Sequence, residues 1–303
     1  MSPRVVTLTT DFGHGDGFVA AMKGVILGLN SAVSLVDISH EIPPQDVRHA
    51  AFVLGTVCRY FPHDAIHLAV VDPGVGSSRN AILIETPHGT YIGPDNGIFS
   101  RVLFGFRAAK QDDRIAGRPS EDHLELAATP VKCRAYTLNK AKYWLEPLSD
   151  TFHGRDVFAP VVGHYAGGVS AHELGSLIGE VRTLPMPLPT SHGDVVKGQI
   201  IHVDRFGNLV SNIAIESPVG VYDALNCISS GSDPSESLEV SIGNKRILGP
   251  SRSYESATSL LAIVGSHGFL EIAVRNGSAA DILNAGVGTA LTVAFLEGFT
   301  PEA

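Results

Sequence analysis

Strand-like and helix-like segments alternate along the first half of this chain, and no other feature constrains its fold as strongly. Apolar runs at residues 5–9, 33–38 and 66–71 have the composition of buried strands. Between them, residues 18–29 and 46–60 carry apolar side chains at helical spacing. Strands that alternate with helices predict an α/β fold with a doubly wound, mostly parallel sheet. Further elements are predicted as a hairpin of strands at residues 81–86 and 89–92, and a helix at residues 156–167.

A proline-rich segment divides the chain. Residues 185–192 contain three prolines and show no periodicity, which predicts a linker. It would join an N-terminal α/β domain at residues 1–184 to a smaller C-terminal domain at residues 193–303. Short strand-like runs separated by turn signals follow the linker and are typical of an antiparallel β domain. These runs are residues 195–203, 209–215, 237–242, 260–264, 269–274 and 290–295.

The composition of the chain limits its possible binding partners and its cellular location. The 303 residues carry a net charge of -9 without a cluster of Lys or Arg, which argues against nucleic acid and anionic membranes as partners. No apolar run reaches membrane-spanning length, and no signal peptide is evident. Cys58, Cys133 and Cys227 are far apart and form no Cys-x-x-Cys pair, so we expect reduced thiols in a cytoplasmic protein.

Two acidic residues stand directly after predicted strands. The run at residues 66–71 ends in Asp72, a proline and two glycines, with Arg79 close behind, and Asp11 follows the first strand. Ligands of open α/β sheets bind just past the carboxyl ends of the strands, so both carboxylates are candidates for a functional site. The alternatives are a solvated ion pair in an ordinary turn for Asp72, and a helix N-cap for Asp11.

Four further clusters are weak signals when each is taken alone. Residues 94–97 read Pro-Asp-Asn-Gly, a turn signal in its own right, and His153 precedes a predicted helix. Both have ordinary structural explanations. In the second domain, residues 204–208 and 265–271 offer aromatic, amide and hydroxyl groups that suit a small polar ligand.

Several common enzyme sites have no support in the sequence. There is no Gly-x-Gly-x-x-Gly after a strand and no P-loop motif, which argues against dinucleotide and P-loop nucleotide sites. There is also no His-Glu-x-x-His and no Gly-x-Ser-x-Gly, which argues against a zinc or serine hydrolase.

Taken together and in order, the clusters resemble one family, from about residue 5 to residue 297. The family is that of the S-adenosyl-L-methionine (SAM) hydroxide adenosyltransferases, which are relatives of the fluorinase and chlorinase enzymes. The motifs that carry the resemblance are Thr10-Asp11-Phe12-Gly13, Met22-Lys23-Gly24, Asp37-Ile38-Ser39-His40, the turn at residues 72–79, Pro94-Asp95-Asn96-Gly97, Phe152-His153-Gly154-Arg155-Asp156, Asp204-Arg205-Phe206-Gly207-Asn208 and Gly277-Ser278-Ala279-Ala280.

The resemblance implies a reaction and an assembly. SAM and water would give adenosine and L-methionine, with SAM as substrate and no cofactor. The implied assembly is a homotrimer with each active site between the N-terminal domain of one subunit and the C-terminal domain of its neighbour. Asp72, Arg79 and His153 would form the triad that positions and activates the water.

The resemblance also implies a set of substrate-binding residues. Asp11 would hold the ribose hydroxyls, with Phe12 beside it. The other residues of the set lie in the second domain. Asn208, Val274 and Asn276 would face the adenine edge, Phe206 and Tyr254 would face its ring, and Asp204, Ser266, His267 and Glu271 would serve the methionine end. For Tyr254, an ordinary core aromatic is the alternative.

Two other functions remain open at this stage. One is a SAM-dependent halogenase of the chlorinase type. The fluorinase pattern has Tyr, Thr and Tyr where this chain has Asp72, Val75 and His153, so these positions favour water over halide. The other is a non-catalytic regulator that binds SAM or adenosine.

Overall fold

The computed structural model describes residues 3–106, 124–193, 195–214, 238–256 and 259–296. Cys227 lies outside these residues, whereas Cys58 and Cys133 are buried free thiols. Contacts between Cα atoms divide the described residues into two compact units, one up to Met186 and one from Pro187 onward.

The first unit contains a mixed sheet with helices. Its strands are Arg4–Thr10 (β1), Val33–Ser39 (β2), Ile66–Val70 (β3), Ala81–Thr86 (β4), Gly89–Pro94 (β5), Glu125–Ala128 (β6), Arg134–Thr137 (β7), Ser176–Ile178 (β8) and Glu180–Thr183 (β9). Its α-helices are Phe18–Leu29 (α1), Val47–Val57 (α2), Ser100–Phe104 (α3), Ala159–Ala166 (α4) and Ala171–Leu174 (α5).

The sheet order is β2-β1-β3-β5-β4-β7-β8, and β6 pairs with β9 separately. The strands β2, β1, β3 and β5 run parallel to one another, while β4 and β7 pair antiparallel to their neighbours. One apolar cluster joins Leu8 of β1 to Met22 and Ile26 of α1. Another joins Ile82 of β4 to Leu54 of α2. The predicted α/β class is confirmed.

The helix predictions differ in accuracy. Helix α1 spans the predicted residues 18–29. Helix α2 is shorter than predicted: Asp46 caps it by accepting a hydrogen bond from the His49 N–H (2.8 Å), and a 3₁₀ turn follows at Cys58–Tyr60. The predicted helix at residues 156–167 is wrong at its start, because a π-helical turn at Gly154–Phe158 precedes α4.

The second unit is an antiparallel sheet in the order β14-β13-β17-β11-β12-β16-β15, with β10 paired to β11. The strand β10 lies inside the predicted linker, and β14 was not predicted. Its elements are Thr190–His192 (β10), Val195–Val203 (β11), Leu209–Ala214 (β12), Leu238–Ile242 (β13), Lys245–Gly249 (β14), Leu260–Val264 (β15), Phe269–Val274 (β16), Ala290–Phe295 (β17) and the helix Ala279–Leu283 (α6).

The buried histidine of β3 is expected to make the stability of the first unit depend on pH. The side chain of His67 is fully buried, shares a hydrogen bond with the Thr7 hydroxyl (2.8 Å) and stacks on Tyr91. Burial lowers the pKa of His67 to about 4 from its ordinary value of 6.5. Below pH 6.5 the unfolded chain binds a proton at His67 and the folded chain does not, so the free energy of unfolding falls from pH 6.5 to pH 4. The expected loss from this group is about 3 kcal/mol.

Urea unfolding at pH 7 and pH 4 measures this loss. The matched variant His67→Gln should lose about 3 kcal/mol less than the wild type between the two pH values. Equal losses in the two proteins would show that His67 does not titrate on unfolding.

Candidate functional site

The carboxyl ends of the parallel strands gather the first group of predicted site residues. Asp11 follows β1 and Asp72 lies two residues beyond the end of β3. The neighbouring strand β5 ends before Asn96, whose side-chain amide donates to the Val71 carbonyl at 2.8 Å. Asp95 is buried and accepts a hydrogen bond from the Arg182 N–H at 2.8 Å. The turn at residues 94–97 therefore serves the structure of this edge, as its local sequence suggested.

Asp72, Arg79 and His153 form a contiguous hydrogen-bonded group. The Arg79 guanidinium binds both carboxylate oxygens of Asp72, with Nε at 2.9 Å from Oδ1 and Nη2 at 2.5 Å from Oδ2. The same Nη2 lies 2.9 Å from Nδ1 of His153. The side chains of Asp72 and Arg79 are 6% and 9% exposed, which excludes the solvated ion pair. Two-point pairing of this kind is stronger and more directional than a single contact.

The proton position on His153 follows from this geometry. A guanidinium only donates hydrogen bonds, so Nδ1 of His153 accepts from Arg79. The neutral ring then carries its proton on Nε2. Burial and, next, the positive charge of Arg79 lower the pKa of His153, and they outweigh the opposing effect of nearby carboxylates. At neutral pH, His153 is therefore an uncharged donor through Nε2.

The turn at residues 72–79 is held by its own main chain. The Val75 N–H donates to the Asp72 carbonyl at 3.1 Å, and the Ser77 N–H donates to the Gly74 carbonyl at 3.0 Å. Gly76 has a φ of 76°, a backbone conformation that glycine adopts without strain. The chain thus reverses tightly enough to return Arg79 onto Asp72.

Asp11 and Phe12 lie on the loop that follows β1. Asp11 Oδ2 accepts a hydrogen bond from the Gln45 N–H at 2.8 Å, and Gly17 rather than Asp11 is the N-cap of α1. The N-cap alternative for Asp11 is therefore wrong. Phe12 packs on the rings of Phe18 and Phe152, with centroids 5.7 and 5.8 Å away.

A partly buried network that local sequence reasoning missed supports this loop. The Thr10 hydroxyl lies 2.8 Å from Nδ1 of His40, whose Nε2 lies 3.0 Å from Asp37. Lys23 completes the network at 2.6 Å from Asp37. Only the motifs quoted for the family resemblance pointed to these residues, because their sequence spacing is irregular.

In the second unit, Asp204 organises its own turn. Its Oδ1 accepts hydrogen bonds from the N–H groups of Phe206 and Asn208 at 2.8 and 2.9 Å, and its Oδ2 accepts from the Asn208 side chain at 2.8 Å. This pairing brings the predicted residues Asp204 and Asn208 together. The Phe206 ring is left 75% exposed at the turn.

A second cluster in this unit surrounds the buried Glu271. Its Oε1 lies 3.0 Å from Nε2 of His267, and its Oε2 accepts a long hydrogen bond, 3.5 Å, from the Tyr254 hydroxyl. Tyr254 is 45% exposed, so the alternative of a core aromatic is wrong. Ser266 lies in the turn between β15 and β16 beside this cluster.

Val274 and Asn276 stand at the other end of β16. Val274 is its last residue, and Asn276 follows in a turn with a φ of 55°. Neither residue is part of the Glu271 cluster. Burial and then the charges of Glu271 and Asp204 raise the pKa of Tyr254, so the turn at Asp204 lies near the Glu271 cluster.

No group of three or more His, Cys, Asp or Glu side chains among the described residues is arranged to hold a metal ion. Within the same residues, no helix has the length and apolarity needed to span a membrane.

Comparison with known proteins assigns both halves of the chain. Residues 6–175 match the SAM hydroxide adenosyltransferase N-terminal domain, and residues 198–292 match the corresponding C-terminal domain. The (R)-S-adenosyl-L-methionine hydrolase of Methanocaldococcus jannaschii is 33% identical over 290 residues, which cover 92% of each chain. The fluorinase of Actinoplanes sp. is 25% identical over 220 residues, covering 69% of this chain and 71% of that protein.

A solved structure is similar along nearly the whole chain. It is that of an uncharacterized conserved protein from Thermotoga maritima, which has a TM-score of 0.77 and 28% sequence identity. The match covers 96% of this chain and 99% of that one.

Proposed function

Because this chain belongs to the SAM hydroxide adenosyltransferase family, we propose that it hydrolyses SAM to adenosine and L-methionine. The observation that carries the proposal is the partly buried hydrogen-bonded group of Asp72, Arg79 and His153 at the carboxyl edge of the parallel strands. Such a group of donors and one carboxylate suits the handling of a water molecule. No cofactor enters the proposal.

The proposed chemistry is a displacement at the C5′ carbon of SAM. The water oxygen forms a bond to C5′, and the C5′–S bond breaks with its electron pair going to sulfur. Methionine leaves as a neutral thioether and needs no general acid. The attacking water must lose one proton, so the reaction needs a proton acceptor beside the water and no proton donor beside the leaving group.

The hydrogen bonds indicate a different role for each of the three residues. Arg79 only donates, and His153 in its Nε2–H form also donates, so both stabilise negative charge that develops on the attacking oxygen. Nδ1 of His153 is already engaged by Arg79, so Asp72 is the one group of the three with lone pairs left to accept a proton or a hydrogen bond from the water. We therefore propose that Asp72 receives the proton, while Arg79 and His153 aim the water.

The predicted binding residues fit the rest of the substrate. Asp11 uses Oδ2 on the Gln45 N–H, which leaves Oδ1 for the ribose diol. The exposed rings of Phe206 and Tyr254 suit an adenine face, with Asn208, Val274 and Asn276 at its edge. Ser266, His267 and Glu271 would serve the methionine end, and Asp204 would do so through the turn that it organises.

A homotrimer is part of the proposal, with each active site formed by the N-terminal domain of one subunit and the C-terminal domain of a neighbour. We expect a mass three times that of the 32.0 kDa chain in solution. Light scattering on the purified protein measures it. A monomer that releases adenosine at the full rate would rule out the shared site.

The halogenase alternative has less support. A chloride ion at the water position would face the Asp72 carboxylate, and two like charges in a buried site repel. The regulator alternative does not account for a largely buried carboxylate and guanidinium in contact with a half-buried imidazole, because binding alone needs no group that accepts a proton.

One experiment separates the three functions. The protein is incubated with SAM in ¹⁸O-labelled water, with and without chloride, and the nucleoside products are analysed by mass spectrometry. We expect adenosine with the label in its 5′-hydroxyl and no chlorinated nucleoside. A 5′-chloro product would identify a halogenase, and intact SAM at high protein concentration would favour the regulator.

A further inference from the structure

The loop that carries His153 is closed by one buried carboxylate. Asp156 has a side chain that is 1% exposed, and its Oδ2 accepts a hydrogen bond from the Ser149 N–H at 2.9 Å. Arg155 donates to both oxygens, at 2.6 and 3.0 Å. The Asp156 main-chain carbonyl accepts from the Leu145 N–H at 2.8 Å. A single residue therefore ties down both ends of the loop at residues 145–156.

This loop packs directly on the turn at residues 72–79. A Cβ atom added to Gly76 would lie 2.6 Å from the Asp150 carbonyl oxygen, so no side chain fits between the two segments. The contact brings the loop close enough for His153 to meet Arg79. A shift of the loop by about one ångström would lengthen that 2.9 Å hydrogen bond beyond bonding distance.

The π-helical turn after His153 supplies a second contact to the same guanidinium. The Arg79 guanidinium carbon lies 5.3 Å from the centre of the buried Phe158 ring. The turn at Gly154–Phe158 thus presents His153 at its start and Phe158 at its end to one guanidinium. Turns of this kind occur frequently at functional sites. Asp156 lies in the middle of the turn and fastens it to the preceding loop.

We propose that Asp156 is a positioning residue, whose carboxylate closes the loop and so holds His153 on Arg79. The inference rests on the proposed hydrolysis and deepens it. Asp156 would act through His153 and would not touch SAM or the attacking water.

The charges around His153 allow this role to be tested. Four charged groups act on the His153 ring: Arg79 favours its neutral form, whereas Asp72, Asp156 and Asp150 favour its protonated form. With the ring held in place, removal of the Asp156 charge alone would lower the pKa of His153, whereas release of the ring from Arg79 removes a larger effect and would raise it. This effect gives a readout that does not depend on turnover.

A double-mutant cycle tests the proposal. Asp156→Asn, a near-isosteric change, should lower kcat for adenosine release by about 10- to 100-fold and leave KM for SAM nearly unchanged. In the His153→Ala background the same change should have little further effect, because the residue to be positioned is gone. The exposed Asp64→Asn is the matched control. Independent, multiplicative losses of kcat in the double variant would overturn the proposal.

A second variant and a spectroscopic measurement complete the test. If Asp156→Asn does not fold, Arg155→Gln removes the bidentate partner of the carboxylate and enters the same cycle. NMR titration of His153 should show a higher pKa in Asp156→Asn than in the wild type, because a ring released from Arg79 loses an effect that is larger than that of the Asp156 charge. An unchanged or lower pKa would overturn the proposal. If the wild type releases no adenosine, the proposed function fails, whereas the titration still reports on the position of His153.

Discussion

Replacement of Asp72 by asparagine is expected to slow adenosine release by about 10²–10⁴-fold, the range that a positioned proton acceptor contributes. The amide side chain of the variant would keep the shape of the carboxylate but could not accept the proton of the attacking water. The change would also leave the largely buried Arg79 guanidinium without its counter-charge. Stopped assays of adenosine release at saturating SAM measure the effect.

Binding must be measured beside turnover for Asp72→Asn. Calorimetry should show SAM affinity close to that of the wild type, because the proposed role of Asp72 is toward the water. The control is Asp64→Asn, an exposed residue just before β3, the same strand whose far end precedes Asp72. Near-normal turnover in Asp72→Asn would show that this carboxylate is not the proton acceptor.

Replacement of Arg79 by lysine is expected to reduce kcat by about 10²–10³-fold, although the charge is kept. Arg79 holds both Asp72 oxygens and Nδ1 of His153 with one rigid planar group, and it lies over the Phe158 ring. An ammonium group is a single charged point and does not reproduce this fork. The kcat of Arg79→Lys for adenosine release measures what the planar geometry contributes beyond charge.

The exposed Arg134, which pairs with Glu85 at 3.1 Å, offers a control for this change. Arg134→Lys should leave kcat unchanged, since exposed ion pairs contribute little and this one lies outside the site. Equal rates in Arg79→Lys and the wild type would mean that positive charge alone suffices at position 79.

Local sequence patterns predicted the regular elements well where burial is periodic. The bounds of α1, β11, β15, β16 and β17 agree with the apolar runs that predicted them. The short strands β6, β8 and β9 were not predicted, because three or four residues carry too little periodicity. Their pairing partners, such as β6 with β9, lie far apart in the chain.

The site residues, too, were only partly evident from the sequence. The position of Asp72 at a strand end and of Arg79 on the following turn was evident from the sequence. The hydrogen-bond partners of the other carboxylates were not evident from the sequence. The motifs containing Asp204 and Glu271 predicted ligand contacts, whereas both carboxylates bind neighbouring protein groups in the structure. A residue type alone does not reveal which hydrogen-bond partners surround it.

The sequence by itself determined the alternation of strands and helices, the antiparallel second unit and the carboxylates at the strand ends, because hydrophobic periodicity and turn residues act over short stretches of chain. The tertiary structure alone decided the atoms through which His153 meets Arg79, 74 residues away in the chain, and which ring nitrogen carries the proton. That contact depends on the packing of two loops around Gly76 and on the Asp156 carboxylate. Such long-range contacts arise only when the whole unit has folded and buried its polar groups in pairs.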